Sequence, residues 1–87
     1  MSKVTFERID EPHLFAYRTT VSPCWAVELV RREAGTWDVF VQHYGQTIAF
    51  ARFASMRADL APLYYAGIGV GYVRAKRLAK LIAEGLA

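Results

Sequence analysis

Apolar and polar positions alternate with a period of two along most of the first half of the chain, and take up a helical period only toward the C-terminus. In residues 3–9, Val4 and Phe6 fall on one side, with Thr5 and Glu7 on the other, which reads as a strand broken by Asp10-Glu11-Pro12. Residues 13–19 form a second short strand, although Leu14-Phe15-Ala16-Tyr17 also suits a helical turn; Ser22-Pro23 then interrupts the chain. The alternation is most regular next. Residues 24–32 set Trp25, Val27 and Leu29 against Ala26, Glu28 and Val30; residues 36–43 set Trp37, Val39, Val41 and His43 against Asp38, Phe40 and Gln42. Glu33-Ala34-Gly35 between them has the form of a three-residue hairpin loop with a glycine bulge. That loop pairs Arg32 with Thr36, and so Trp25 with His43, Val27 with Val41 and Leu29 with Val39, gathering the large apolar residues on one face.

Tyr44-Gly45 reads as a two-residue turn, and residues 46–53 as a returning strand that sets Ile48 opposite Val41 and Phe50 opposite Val39. The reverse face then holds Ala26, Val30, Phe40, Ala49, Ala51 and Phe53, apolar enough to need a cover. One helix covers one face of a small sheet, so the other calls for the rest of the chain or a second protomer, and a homodimer is expected. Residues 55–65 start on Ser55, a good N-cap, and read as a helix of about two turns that Pro62 ends or kinks. In the last helix Tyr72, Ala75, Leu78, Ala79, Ile82 and Leu86 share one side. Lys76, Arg77, Lys80 and Glu84 share the other, with Arg74 at the border.

Strands first and helices last predict an α+β fold: a four- or five-stranded antiparallel sheet, a short helix, a Gly-rich turn and a C-terminal amphipathic basic helix packed on the sheet. Eighty-seven residues without repeats or linkers make a single domain, 1–87, and 54% hydrophobic content is ample for one core. No apolar run is long enough to span a membrane. A single cysteine and a charged N-terminal segment without an apolar signal region predict a cytoplasmic protein.

The net charge of +3 is unevenly spread. Residues 1–44 carry five Lys/Arg and six Asp/Glu, residues 45–87 six and two, so −1 in the first part stands against +4 in the second. The excess sits beside Gly67, Gly69 and Gly71, which lead into the basic helix. Glycine lets backbone N–H groups approach a ligand, and a helix N-terminus adds unpaired donors, so the stretch reads as an anion seat. The run Gly69-Val-Gly-Tyr-Val-Arg-Ala75-Lys-Arg-Leu78-Ala resembles the second half of a helix-hairpin-helix motif, over about a quarter of the chain (residues 67–82). The resemblance implies that Gly69 and Gly71 present amides to a nucleic-acid phosphate and that Ala75 packs helix on helix. It gives Arg74, Lys76 and Arg77 the backbone contact, and Lys80 continues their strip. Pro62 interrupts the first helix that the family carries there, and the extra Gly67-Ile68 leaves two registers.

No catalytic set stands out. The hairpin register turns Cys24 and His43 to opposite faces, and Glu28 and Asp38 read as surface charges beside arginines. Two histidines and one cysteine without ligand spacing give no metal site, and no cofactor fingerprint is present. Trp25, Trp37, Phe40, Tyr44 and Phe53 are candidates for a base-stacking platform, although aromatics in a domain this small ordinarily build the core. The expectation is a non-enzymatic binding module for nucleic acid or a nucleoprotein. The alternative is a protein-binding adaptor or inhibitor of the phage or plasmid kind, anti-CRISPR-like, directed at an acidic protein.

Overall fold

The hairpin with the most regular alternation forms the middle of the sheet in the computed structural model, which describes residues 4–12 and 14–87. Strand β3 (Trp25–Arg31) pairs antiparallel with β4 (Trp37–His43), setting Trp25 opposite His43, Val27 opposite Val41 and Leu29 opposite Val39. Gly35 adopts φ +78° in the connecting loop, the left-handed conformation that glycine enters without a Cβ clash. Tyr44 and Gly45 both take positive φ (52° and 79°), the two-residue turn whose twist matches a hairpin, and β5 (Gln46–Ile48) returns with Ile48 opposite Val41. On the other side lie β2 (Leu14–Thr20) and β1 (Glu7–Glu11), giving an antiparallel sheet in the order β1-β2-β3-β4-β5. Asp10 and Glu11 do not break β1; they pair with Phe15 and Leu14 as its last residues. Lys3 and His13, where the sequence reading begins its first two strands, lie outside the described residues.

The chain departs from the expected pattern after Ile48. Residues 46–53 are not one strand: only Gln46–Ile48 pairs, and α1 (Phe50–Met56) follows at once. The edge of β4 that a longer β5 would occupy is already taken. Trp37 and Val70 exchange backbone hydrogen bonds of 2.7 and 3.0 Å, and the Val39 N–H donates to the Gly67 carbonyl at 2.8 Å. Phe50 therefore does not face Val39, and Phe53 lies in the core rather than on the reverse face. Ser55 is inside α1, so it caps nothing, and Pro62 opens α2 (Ala61–Ala66) instead of ending a helix. Proline fits that place because the first-turn N–H has no intrahelical acceptor.

All three helices lie on one side of the sheet. Helix α3 (Tyr72–Leu86) packs over β3 and β4, and α2 packs beside it. Val27, Leu29, Val39 and Val41 from the sheet and Ala75, Ala79 and Ile82 from α3 are fully buried. The alanines, four residues apart, let the helix axis approach the sheet. Tyr64 donates its hydroxyl to the Ile48 carbonyl at 2.6 Å, and burial pushes that hydroxyl above the usual tyrosine pKa. Among the described residues no helix is long and apolar enough to cross a membrane.

Two glycines are held by packing, and they differ in what an added methyl would strike. At Gly67 a Cβ would stand 2.7 Å from Val39 Cγ2 and 2.8 Å from Val39 Cβ, both anchored on the central sheet. At Gly85 it would stand 2.6 Å from Leu60 Cδ2, the free end of a side chain that can rotate. Gly67→Ala is expected to destabilise by about 1–3 kcal/mol through overpacking. Gly85→Ala is expected to stay within about 1 kcal/mol of wild type, because the helix gains nearly that much from alanine. Chemical denaturation of both variants measures the contrast.

Candidate nucleic-acid interface

Helix α3 buries one stripe and turns the other to solvent, and the cations of the basic strip are all on the outer side. Arg74, Lys76, Arg77 and Lys80 are exposed. Arg74, Arg77 and Lys80 step along the helix over about 9 Å. Lys76 leans the other way, its Nζ 5.8 Å from the centroid of Phe6 and 5.9 Å from that of Tyr72. Among the described residues, the ion pairs are Arg8–Asp10, Arg18–Glu28, Arg32–Asp38 and Arg57–Asp59, and no carboxylate lies within 4.0 Å of any α3 cation. Four of the six Lys/Arg of residues 45–87 thus lie on this helix, while Arg31 on β3 and Arg52 on α1 are likewise exposed and outside the ion pairs.

One of these cations, Arg74, stands in the first turn of the helix, where stability alone disfavours it. The N-terminus of α3 has no side-chain cap and no acidic residue in its first turn, while Arg74, Lys76 and Arg77 follow within two turns. The positive end of the helix dipole favours an anion there and penalises a cation by about 0.3–1 kcal/mol. An incoming anion relieves that repulsion. An open groove of ≈ 620 Å³ adjoins the same turn, lined by Gly71, Tyr72, Val73, Arg74, Arg77 and Leu78. It offers two guanidiniums beside an apolar floor, chemistry suited to a phosphate with an attached sugar or base.

The glycines divide. Gly71 is the N-cap of α3, exposed, and its carbonyl accepts the Ala75 N–H at 2.9 Å. Gly69 adopts φ +64°, but its N–H donates to Asp38 Oδ1 at 2.7 Å, so a carboxylate of the protein holds the amide that the hairpin resemblance assigns to a phosphate. Gly67 and Val70 are bound to the β4 edge. The glycine run therefore docks the α2–α3 connection onto the sheet through Gly67 and Val70, while Ile68, Gly69 and Gly71 stay exposed. Asp38 lies 31 residues from Gly69, and no local pattern announces the contact. Val73, which the sequence reading assigns to neither side of the helix, is 72% exposed beside the basic strip.

The aromatic residues do not make a stacking platform. Trp37 and Phe53 are buried under the helices. Trp25 lies against His43, with ring centroids 4.3 Å apart. Phe40 projects from the opposite face of the sheet, and Tyr44 sits in the β4–β5 turn. Cys24 and His43 do not meet as a catalytic pair: the thiol donates to the Tyr44 hydroxyl at 3.2 Å. No family model, curated protein or solved structure matches the chain.

Proposed function

We propose that the protein is a small non-enzymatic module that binds nucleic acid, free or within a nucleoprotein, through the outer face of α3 and its N-terminus. The observation that carries this reading is that Arg74, Lys76, Arg77 and Lys80 are exposed without a carboxylate partner among the described residues, while four other arginines are paired. Phosphates supply the missing counter-charge, and Gly71 leaves room for them at the helix start. Gly69 contributes by positioning the turn, since its amide is engaged by Asp38.

Fluorescence anisotropy with labelled duplex DNA, single-stranded DNA and RNA tests it. If three to four phosphates are neutralised, duplex affinity is expected to fall roughly 40- to 150-fold between about 50 and 200 mM salt. Absence of binding at the low salt concentration overturns the reading. The same strip is then left to an acidic protein surface, the adaptor or inhibitor alternative, which gel filtration with such a partner detects.

A further inference from the structure

Resting on the nucleic-acid reading above, we propose that the ligand of α3 is single-stranded, and that its unpaired bases stack on a cluster of aromatic rings between β2 and the start of α3. The five aromatics suggested by the sequence do not gather, but another set does, sharing only Trp37 with them. Tyr72 stands with its ring centroid 5.0 Å from that of Trp37 and 5.7 Å from that of Tyr17, and Phe15 lies 6.0 Å from Trp37. Trp37 is the buried floor of the cluster; Phe15, Tyr17 and Tyr72 are half-buried.

Packing explains why these rings stay partly open. Helix α3 lies over β3 and β4, so the rings on the helix side of β2 stand at its flank. Phe53 and Tyr64, sealed in the core, are by contrast 0% and 4% exposed. Among the described residues the tyrosine hydroxyls in hydrogen bonds are those of Tyr44 and Tyr64. No unpartnered side-chain oxygen is buried, so the hydroxyls of Tyr17 and Tyr72 reach solvent.

Cations rim the cluster. The Arg8 guanidinium stands 4.7 Å from the Phe15 centroid, and Lys76 Nζ lies between the rings of Phe6 and Tyr72. Arg31, the cross-strand partner of Trp37, is exposed, and Asp10, across from Phe15 on β1, is held by Arg8 at 3.3 Å. Aromatic rings for the bases beside cations for the backbone are the means by which single strands are held. Tyr72 joins the two parts, because it also lines the groove of Arg74 and Arg77. One strand thus lays a base against the rings and its phosphates against the guanidiniums. A duplex reaches only the cations, since its base faces are covered by neighbouring pairs.

Fluorescence anisotropy at about 200 mM salt, with a labelled single strand and a duplex of equal length, tests the proposal. The strand is expected to bind at least about fivefold tighter, as one stacked base provides. Phosphate neutralisation alone gives the opposite order, because the duplex has the higher charge density. Phe15→Leu keeps apolar bulk and removes a flat ring. It is expected to weaken the strand about fivefold or more and to leave the duplex within about twofold of wild type. Tyr17→Leu is the second variant should Phe15→Leu fail to fold, and circular dichroism checks both. Duplex bound as tightly as the strand overturns the proposal and leaves the nucleic-acid reading standing, and so does a strand preference that survives in a folded leucine variant. Binding of neither ligand, at about 50 mM salt as well, overturns both.

Discussion

Replacing Arg74, Arg77 and Lys80 together by glutamate is expected to reduce affinity for duplex DNA at about 50 mM salt by about a hundredfold or more, and to flatten its salt dependence to that of one phosphate contact or fewer. The three side chains are exposed and make no ion pair among the described residues, so the change removes no internal contact of that kind. It also puts one negative charge, at position 74, into the first turn of α3, where the helix dipole favours it and no acidic residue stands. The melting temperature is therefore expected to hold or rise while binding is lost. That combination separates a binding surface from a structural one. If the variant binds as wild type with an unchanged salt slope, the strip is a solvated face and the functional reading fails.

Phe53→Ala is expected to cost about 3–5 kcal/mol, the range for deleting a buried phenyl group. A domain this size has about 4–13 kcal/mol of stability in all, so the variant loses a large part of it. Phe53 is fully buried, with its ring 5.5 Å from Tyr64 and 5.9 Å from Trp25. Phe50, three residues earlier in α1, is 42% exposed, and Phe50→Ala is expected to cost much less. The order matters more than either value. A strand through residues 46–53 places Phe50 beside Ile48 on the core face and turns Phe53 away, which predicts the reverse order. Thermal or urea denaturation of the two variants reads which geometry the chain adopts in solution.

The difference between those two geometries shows where sequence reasoning stops. Ile48, Phe50 and Arg52 alternate with Ala49, Ala51 and Phe53, a period-two pattern in a segment that also contains good helix formers. Local pattern leaves both states open. The choice is made by Gly67–Val70, some twenty residues on, which takes the backbone partners of Trp37 and Val39 and leaves β5 only the far end of β4. Pro62 was misread for a related reason: it is as well suited to the first turn of a helix as it is destructive within one, and only the true start of α2 distinguishes the two.

What the sequence by itself determined is the local and periodic part. The β3–β4 register, the Gly35 and Tyr44-Gly45 turns, the buried stripe of α3 and its basic outer face all follow from spacing within a few residues. Turn geometry and side-chain period act over that range, and a one-residue slip would expose the whole apolar set. Only the tertiary structure decided which edge β5 could use, that Asp38 holds the Gly69 amide, and that the helices cover one face and leave Glu28 on the other. Each depends on backbone groups or charges from distant parts of the chain competing for one partner. A hydrogen-bond donor is satisfied by whichever acceptor the fold brings to it, and no spacing in the sequence ranks those acceptors.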